Sequence, residues 1–154
     1  MLQDPSSYGL LKNFQDSIFG PKIDERRTEA YKYIGGRISE SAWLQYPSLS
    51  MVRLAAQLAW EGHLPSVKVM RLENISLIDI PKNRLGKLFS IVTDWVVIDN
   101  ITPASLDIIL ESVRCSWLVL YNMTLTEPQT RALVTALTER LERVRLYSVL
   151  TLDN

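Results

Sequence analysis

The sequence predicts an α/β fold: a short solenoid of about three to four strand–helix units with a parallel sheet, preceded by an N-terminal helical cap. Three observations predict it. An apolar pattern returns in register in "VMRLENISL" (69–77), "WVVIDNITP" (95–103), "WLVLYNMTL" (117–125) and "RVRLYSVLT" (143–151). Between copies the apolar period changes from two residues to that of a helix. Helix-start signals punctuate the joins.

The strands come first. Their main apolar anchor falls at Leu72, Ile98, Leu120 and Leu146, with separations of 26, 22 and 26 residues. A second anchor lies two residues earlier, at Met70, Val96, Leu118 and Val144. Alternation puts both anchors on one face of a short strand. Between strands, Leu85, Leu88, Phe89 and Val92 have helical spacing, as do Leu106, Ile109, Leu110 and Val113. Leu133, Ala136, Leu137 and Leu141 nearly repeat it. Pro81 opens the first of these helices. Thr102 before Pro103 reads as an N-cap with proline at the first helical position. Thr126 and Gln129 stand at capping-box spacing. A helix between strands carries the chain back, so successive strands run parallel. One such unit cannot bury its apolar face alone, whereas stacked units can.

Residues 1–47 lack the repeat and read as a flanking helical or partly disordered segment. Residues 6–20 suggest a short helix ending at Gly20. Residues 24–36 suggest another, capped by Asp24 and stopped by Gly35-Gly36. Residues 1–30 also read as partly disordered or as a linker. Residues 48–154 hold the array. They begin with a helix capped by Ser48 or Ser50, buried through Met51, Leu54, Ala55, Leu58 and Ala59, and ended by Gly62. That helix would cover the open end of the first unit. The fourth copy has no helical half after it, so the array reads as short, or as truncated at its C-terminus.

Composition narrows the function classes. The 154 residues suffice for one domain with a core, and 17 basic and 17 acidic side chains give zero formal charge. A nucleic-acid binder would show a basic excess or stripe, and none is present. No apolar run has the length of a membrane span or a signal peptide. One cysteine, Cys115, permits no internal disulfide. The expectation is a cytoplasmic protein, or a secreted one if a signal peptide precedes the sequence.

No active site, metal site or cofactor site is legible. His63, the one histidine, follows a helix-ending glycine and reads as a loop residue. Cys115 sits at a repeat anchor and reads as a small core residue. No Cys/His cluster has zinc spacing, and no glycine-rich loop follows a strand. Asn74, Asn100 and Asn122 each begin an Asn-x-Ser/Thr triplet, the N-glycosylation acceptor pattern. The triplet recurs because the unit recurs, and register sets these residues at strand ends near the exposed face.

These residues resemble leucine-rich repeats of the ribonuclease-inhibitor type, also found in NOD-like receptors, over about 67–154. The family strand is L-x-x-L-x-L-x-x-N/C-x-L. Cys115, Leu118, Leu120, Met123 and Leu125 match it in the third copy, and Val67, Met70, Leu72, Ile75 and Leu77 in the first. The Asn/Cys position instead holds Ile75, Ile101, Met123 and Val149, so the family's side-chain ladder is not expected there. The resemblance implies a curved sheet lined by helices and a role in protein recognition, in an innate-immune or regulatory receptor.

Alternation then names the outward residues. They form three columns across the strands: Val69, Trp95, Trp117 and Arg143; Arg71, Val97, Val119 and Arg145; Glu73, Asp99, Tyr121 and Tyr147. Tryptophan, tyrosine and arginine dominate binding hot spots. The expected function is therefore a non-enzymatic module that binds a protein partner through this face. The expected contacts are Arg71, Glu73, Trp95, Val97, Asp99, Trp117, Val119, Tyr121, Arg145 and Tyr147. The alternatives are an aromatic face covered by the N-terminal segment, and a homo-oligomer that buries the open sheet edge or the aromatic face.

Overall fold

The computed structural model describes residues 22–40, 44–45 and 47–152. The expected helix over 6–20 lies outside them, as does most of the expected disordered or linker stretch; residues 22–30 are helical. By compactness the chain divides into Met1–Ile34 and Gly35–Asn154. The elements are α1 (Lys22–Glu40), α2 (Leu49–Trp60), β1 (Val67–Glu73), α3 (Lys82–Ser90), β2 (Val92–Asp99), α4 (Pro103–Ser112), β3 (Trp117–Leu125), α5 (Glu127–Glu139) and β4 (Arg143–Thr151). The class is α/β. The four strands form one sheet in the order β1-β2-β3-β4, every neighbouring pair parallel, and strands alternate with helices.

The strand anchors occupy matching positions. Leu72 pairs with Ile98, Ile98 with Leu120, and Leu120 with Leu146. Met70, Leu72, Val96, Ile98, Leu118 and Leu120 are fully buried. They face Leu85, Leu88 and Phe89 of α3, Leu106, Ile109 and Leu110 of α4, and Leu133 and Ala136 of α5, which are also buried. A bulge shifts the β1–β2 register between Val67 and Val69, so that Val92 rather than Thr93 pairs with Val67. Val92, whose spacing suggested the end of a helix stripe, is therefore the first residue of β2.

The helix starts follow the sequence signals. Ser48 caps α2, its hydroxyl accepting from Met51 N at 3.2 Å. At the other end Gly62 adopts φ +80°, His63 N donates to Leu58 O at 2.8 Å, and Gly62 N donates to Ala59 O at 3.2 Å. This is the paired closure that needs a left-handed residue after a helix. The stripe of α2 is broader than expected: Val52 and Ala56 join Ala55, Leu58 and Ala59 inside, while Met51 and Leu54 are half-buried. The Thr126–Gln129 capping box is complete. Thr102 caps α4 by position alone, since its hydroxyl donates to Ser105 Oγ at 3.0 Å and accepts no hydrogen bond from the first-turn N–H groups.

Two expectations need correction. Gly35-Gly36 does not stop a helix, because α1 runs on to Glu40, and Asp24 lies inside α1, which already includes Lys22 and Ile23. Gly35 is there for close approach: a Cβ on it would collide with the His63 carbonyl. Leu137, expected in the buried stripe of α5, is exposed together with Val134. Among the described residues no helix follows β4 to cover that side of α5.

Neighbouring units are also tied by polar groups. Gln129, buried, donates from Nε2 to Asp107 Oδ1 at 2.9 Å and to Pro103 O at 3.3 Å, linking the N-termini of α4 and α5. The Arg140 guanidinium donates to the carbonyls of Leu110, at 2.8 Å, and Glu111, near the C-terminus of α4. A cation there satisfies carbonyls that the helix leaves unpaired.

Candidate functional site

The face of the sheet opposite the helices carries the predicted columns, and the registers confirm the rows. Val69, Trp95, Trp117 and Arg143 are paired in succession; so are Arg71, Val97, Val119 and Arg145, and Glu73, Asp99, Tyr121 and Tyr147. In a parallel sheet with this register, like residues fall side by side at about the strand spacing of 4.8 Å. The Trp95 and Trp117 rings therefore stack, centroids 5.5 Å apart and planes 12° from parallel. Tyr121 and Tyr147 stack at 4.8 Å and 14°. Such cross-strand aromatic pairs stabilise the sheet and hold one another upright.

The cations extend the tryptophan stack. Arg143 Cζ lies 5.0 Å from the Trp117 ring centroid and Arg145 Cζ lies 5.4 Å from it, within cation–π range. At the opposite edge, Arg71 Nε donates to Glu73 Oε1 at 2.6 Å. Asp99 accepts from Asn122 Nδ2 at 3.1 Å. These groups enclose an open hollow of about 630 Å³, lined by Trp95, Trp117, Tyr121, Tyr147, Arg71 and Arg145, with Gln45 and Asp94 also contributing.

Val97 and Val119, expected as contact residues, form its floor. They are only 8% and 7% exposed, because the taller side chains on either side shelter them. A partner would meet the rims of the aromatic rings and the guanidinium groups first. Trp95 and Tyr147 remain strongly exposed, so the described residues leave the aromatic face open. Covering by residues 1–21 lies outside the described residues.

The asparagines have a role that the sequon reading lacked. Asn74, Asn100, Asn122 and Ser148 have φ of 53°, 50°, 53° and 53°. They are the only described non-glycine residues with positive φ, and they hold the same place in each unit. Asparagine tolerates this left-handed conformation better than most residues. Asn100 Nδ2 donates to Asn74 Oδ1 at 2.6 Å, and Asn122 continues the row to Asp99. A side-chain hydrogen-bond row therefore runs one residue before the motif position, which itself holds Ile75, Ile101, Met123 and Val149. The recurrence of Asn at fixed register was the available signal. The amides of all three asparagines are at the surface.

Cys115 is buried at its repeat anchor, its Sγ donating to Trp117 O at 3.1 Å, and burial pushes the thiol up to about 11. That suits a core thiol, not a nucleophile. Among the described residues no group of three His, Cys, Asp or Glu side chains could hold a metal ion. No described helix is long and apolar enough to cross a membrane. Comparison with protein-family models, curated proteins and solved structures finds no match to this chain.

Proposed function

We propose that this chain is a non-enzymatic protein-interaction module, built as a short leucine-rich-repeat solenoid of the ribonuclease-inhibitor type, that binds a protein partner through the free face of its sheet. One observation carries the reading: two stacked aromatic pairs, flanked by arginines, stand on a valine floor with Trp95 and Tyr147 exposed and Trp117 and Tyr121 half-buried. Aromatic and arginine side chains concentrate binding energy when partners exclude water around them. Here stacking already restricts their rotamers, which lowers the ordering cost of association. The repeat register supports the solenoid reading. The likeness to receptor repeats adds an innate-immune or regulatory setting, a warrant from fold alone.

The test is capture from a native lysate by the wild-type chain and by Trp95→Ala/Trp117→Ala/Tyr121→Ala, both shown to be folded by circular dichroism. A partner held by the wild type and lost by the folded variant supports the reading. Equal capture by both, or capture by neither, opposes it and favours aromatics that serve as core beneath another part of the chain.

A further inference from the structure

The charges on the proposed partner-binding face have an order. Its middle row runs Arg71, Val97, Val119 and Arg145, one residue per strand. The Trp95–Trp117 stack stands on one side of this row and the Tyr121–Tyr147 stack on the other. The row is therefore a trough that crosses the strands, with the two sheltered valines as its floor. Its ends differ. On β1, Arg71 Nε donates to Glu73 Oε1 at 2.6 Å, so that cation is already offset. Asp94 and Asp99 on β2 add negative charge beside it. At the β4 end, Arg145 Cζ lies 5.4 Å from the Trp117 ring centroid and Arg143 Cζ 5.0 Å from it. No described carboxylate is salt-bridged to either.

Charge and spacing together select the occupant. A guanidinium stacked by its flat face keeps its in-plane N–H donors, a fork that fits a carboxylate. Neighbouring strands lie about 4.8 Å apart, so the midpoint of Val97 and Val119 is about 7 Å from Arg145. In an extended chain, side chains two residues apart share one face and are also about 7 Å apart. A segment laid across the strands can thus seat an apolar side chain on the valines and a carboxylate on Arg145 at the same time. A cationic side chain at that end would face Arg143 and Arg145. A carboxylate at the other end would face Glu73, Asp94 and Asp99.

We infer that the trough takes an extended segment of a partner protein that carries an apolar residue and an acidic residue two positions apart. The apolar side chain covers Val97 and Val119 between the ring stacks, and the carboxylate pairs with Arg145. The apolar contact supplies affinity by excluding water, and the charge sets which way the segment lies. This inference rests on the partner-binding reading and adds the chemistry of the partner to it.

The experiment is fluorescence anisotropy of the full chain with two fluorescein-labelled peptides, Thr-Leu-Thr-Glu-Thr and, for the opposite chain direction, Thr-Glu-Thr-Leu-Thr. Three changes are made to the order that binds: Lys for Glu, Ala for Leu, and Glu moved beside Leu, which turns it to the other side of the strand. Saturable binding of one order is expected. Each change should weaken it about tenfold or more, the scale of a lost charged hydrogen bond or apolar anchor. The Arg145→Glu variant should prefer the Lys peptide. Binding of neither order, or binding indifferent to the Lys or the spacing change, would overturn the inference. So would self-association of the chain in sedimentation that Trp95→Ala/Trp117→Ala abolishes, which would assign the face to a second copy. Lysate capture separates this inference from the reading beneath it. A partner lost by the folded triple aromatic variant, yet held equally by Arg145→Glu, leaves the interaction module standing and removes the acidic segment. The wild-type peptide comparisons decide the matter even if the arginine variant fails to fold.

Discussion

At β1, the outermost strand on one side, Met70 and Leu72 are fully buried, and Arg71 N is bonded to Leu44 O. Helix α2 packs against α3 on the same side. At β4, the outermost strand on the other side, the equivalents Val144 and Leu146 are half-buried and exposed, and no described element flanks the edge. The anchor pattern of the two strands is the same. What differs is the described element beside each strand. An apolar stripe specifies which face of a strand turns inward, but burial needs a neighbour on each side. One end of the sheet has that neighbour among the described residues, and the other presents apolar and cationic surface.

The comparison breaks most easily in the interior. Leu120→Ala is expected to cost about 2–5 kcal/mol, the range for a fully enclosed leucine. Leu146→Ala should cost about 1 kcal/mol or less, because its side chain already meets water. Urea melts of both variants measure the gap, and equal losses would show that β4 is covered in solution.

Alkaline pH probes the same interior at Cys115. The folded thiol is held near 11 from an ordinary 9.0 by burial. It therefore stays protonated in the folded chain, while the unfolded chain releases its proton above pH 9. Stability from this group is complete below pH 9 and falls as pH rises towards 11. Cys115→Ala should flatten that part of a melting-temperature profile, and an unchanged slope would contradict the burial.

The left-handed joints set a smaller effect. Asn100→Ala should cost about 1–2 kcal/mol, since alanine resists positive φ and the ladder bond is lost. Asn100→Gly should cost less, because only the bond goes. Parity of the two in thermal melts would show that the conformation is not what selects asparagine. Smallest is Ser148→Asn at the open end, where the three interior units already have asparagine. It should stabilise by a few tenths of a kcal/mol, seen as a small upward shift in melting temperature.

Much of this was legible in the sequence, for physical reasons. Strand anchors and helix stripes follow periods of two and 3.6 residues, which local geometry imposes. Ser48, Thr126 and Gln129 act within one helical turn, so their spacing reveals them. The aromatic columns follow from alternation plus register. What was not legible depends on distant partners. Gly35 looks like a helix stop until the His63 carbonyl is beside it. Nothing beside Arg140 in the sequence reveals its role, because the carbonyls that it caps lie a full unit earlier. The shelter of Val97 and Val119 depends on the heights of their neighbours, and the exposure of Leu137 on there being no helix beyond β4 among the described residues.

Native-state hydrogen exchange of the dilute chain tests the contrast between closed and open ends most directly. Interior amides of β1, β2 and β3 should exchange slowly, at rates set by larger opening events. Outward amides of β4 should exchange many times faster. Uniform slow exchange across all four strands in the free monomer would contradict the account, because it would mean that the β4 edge is already occupied.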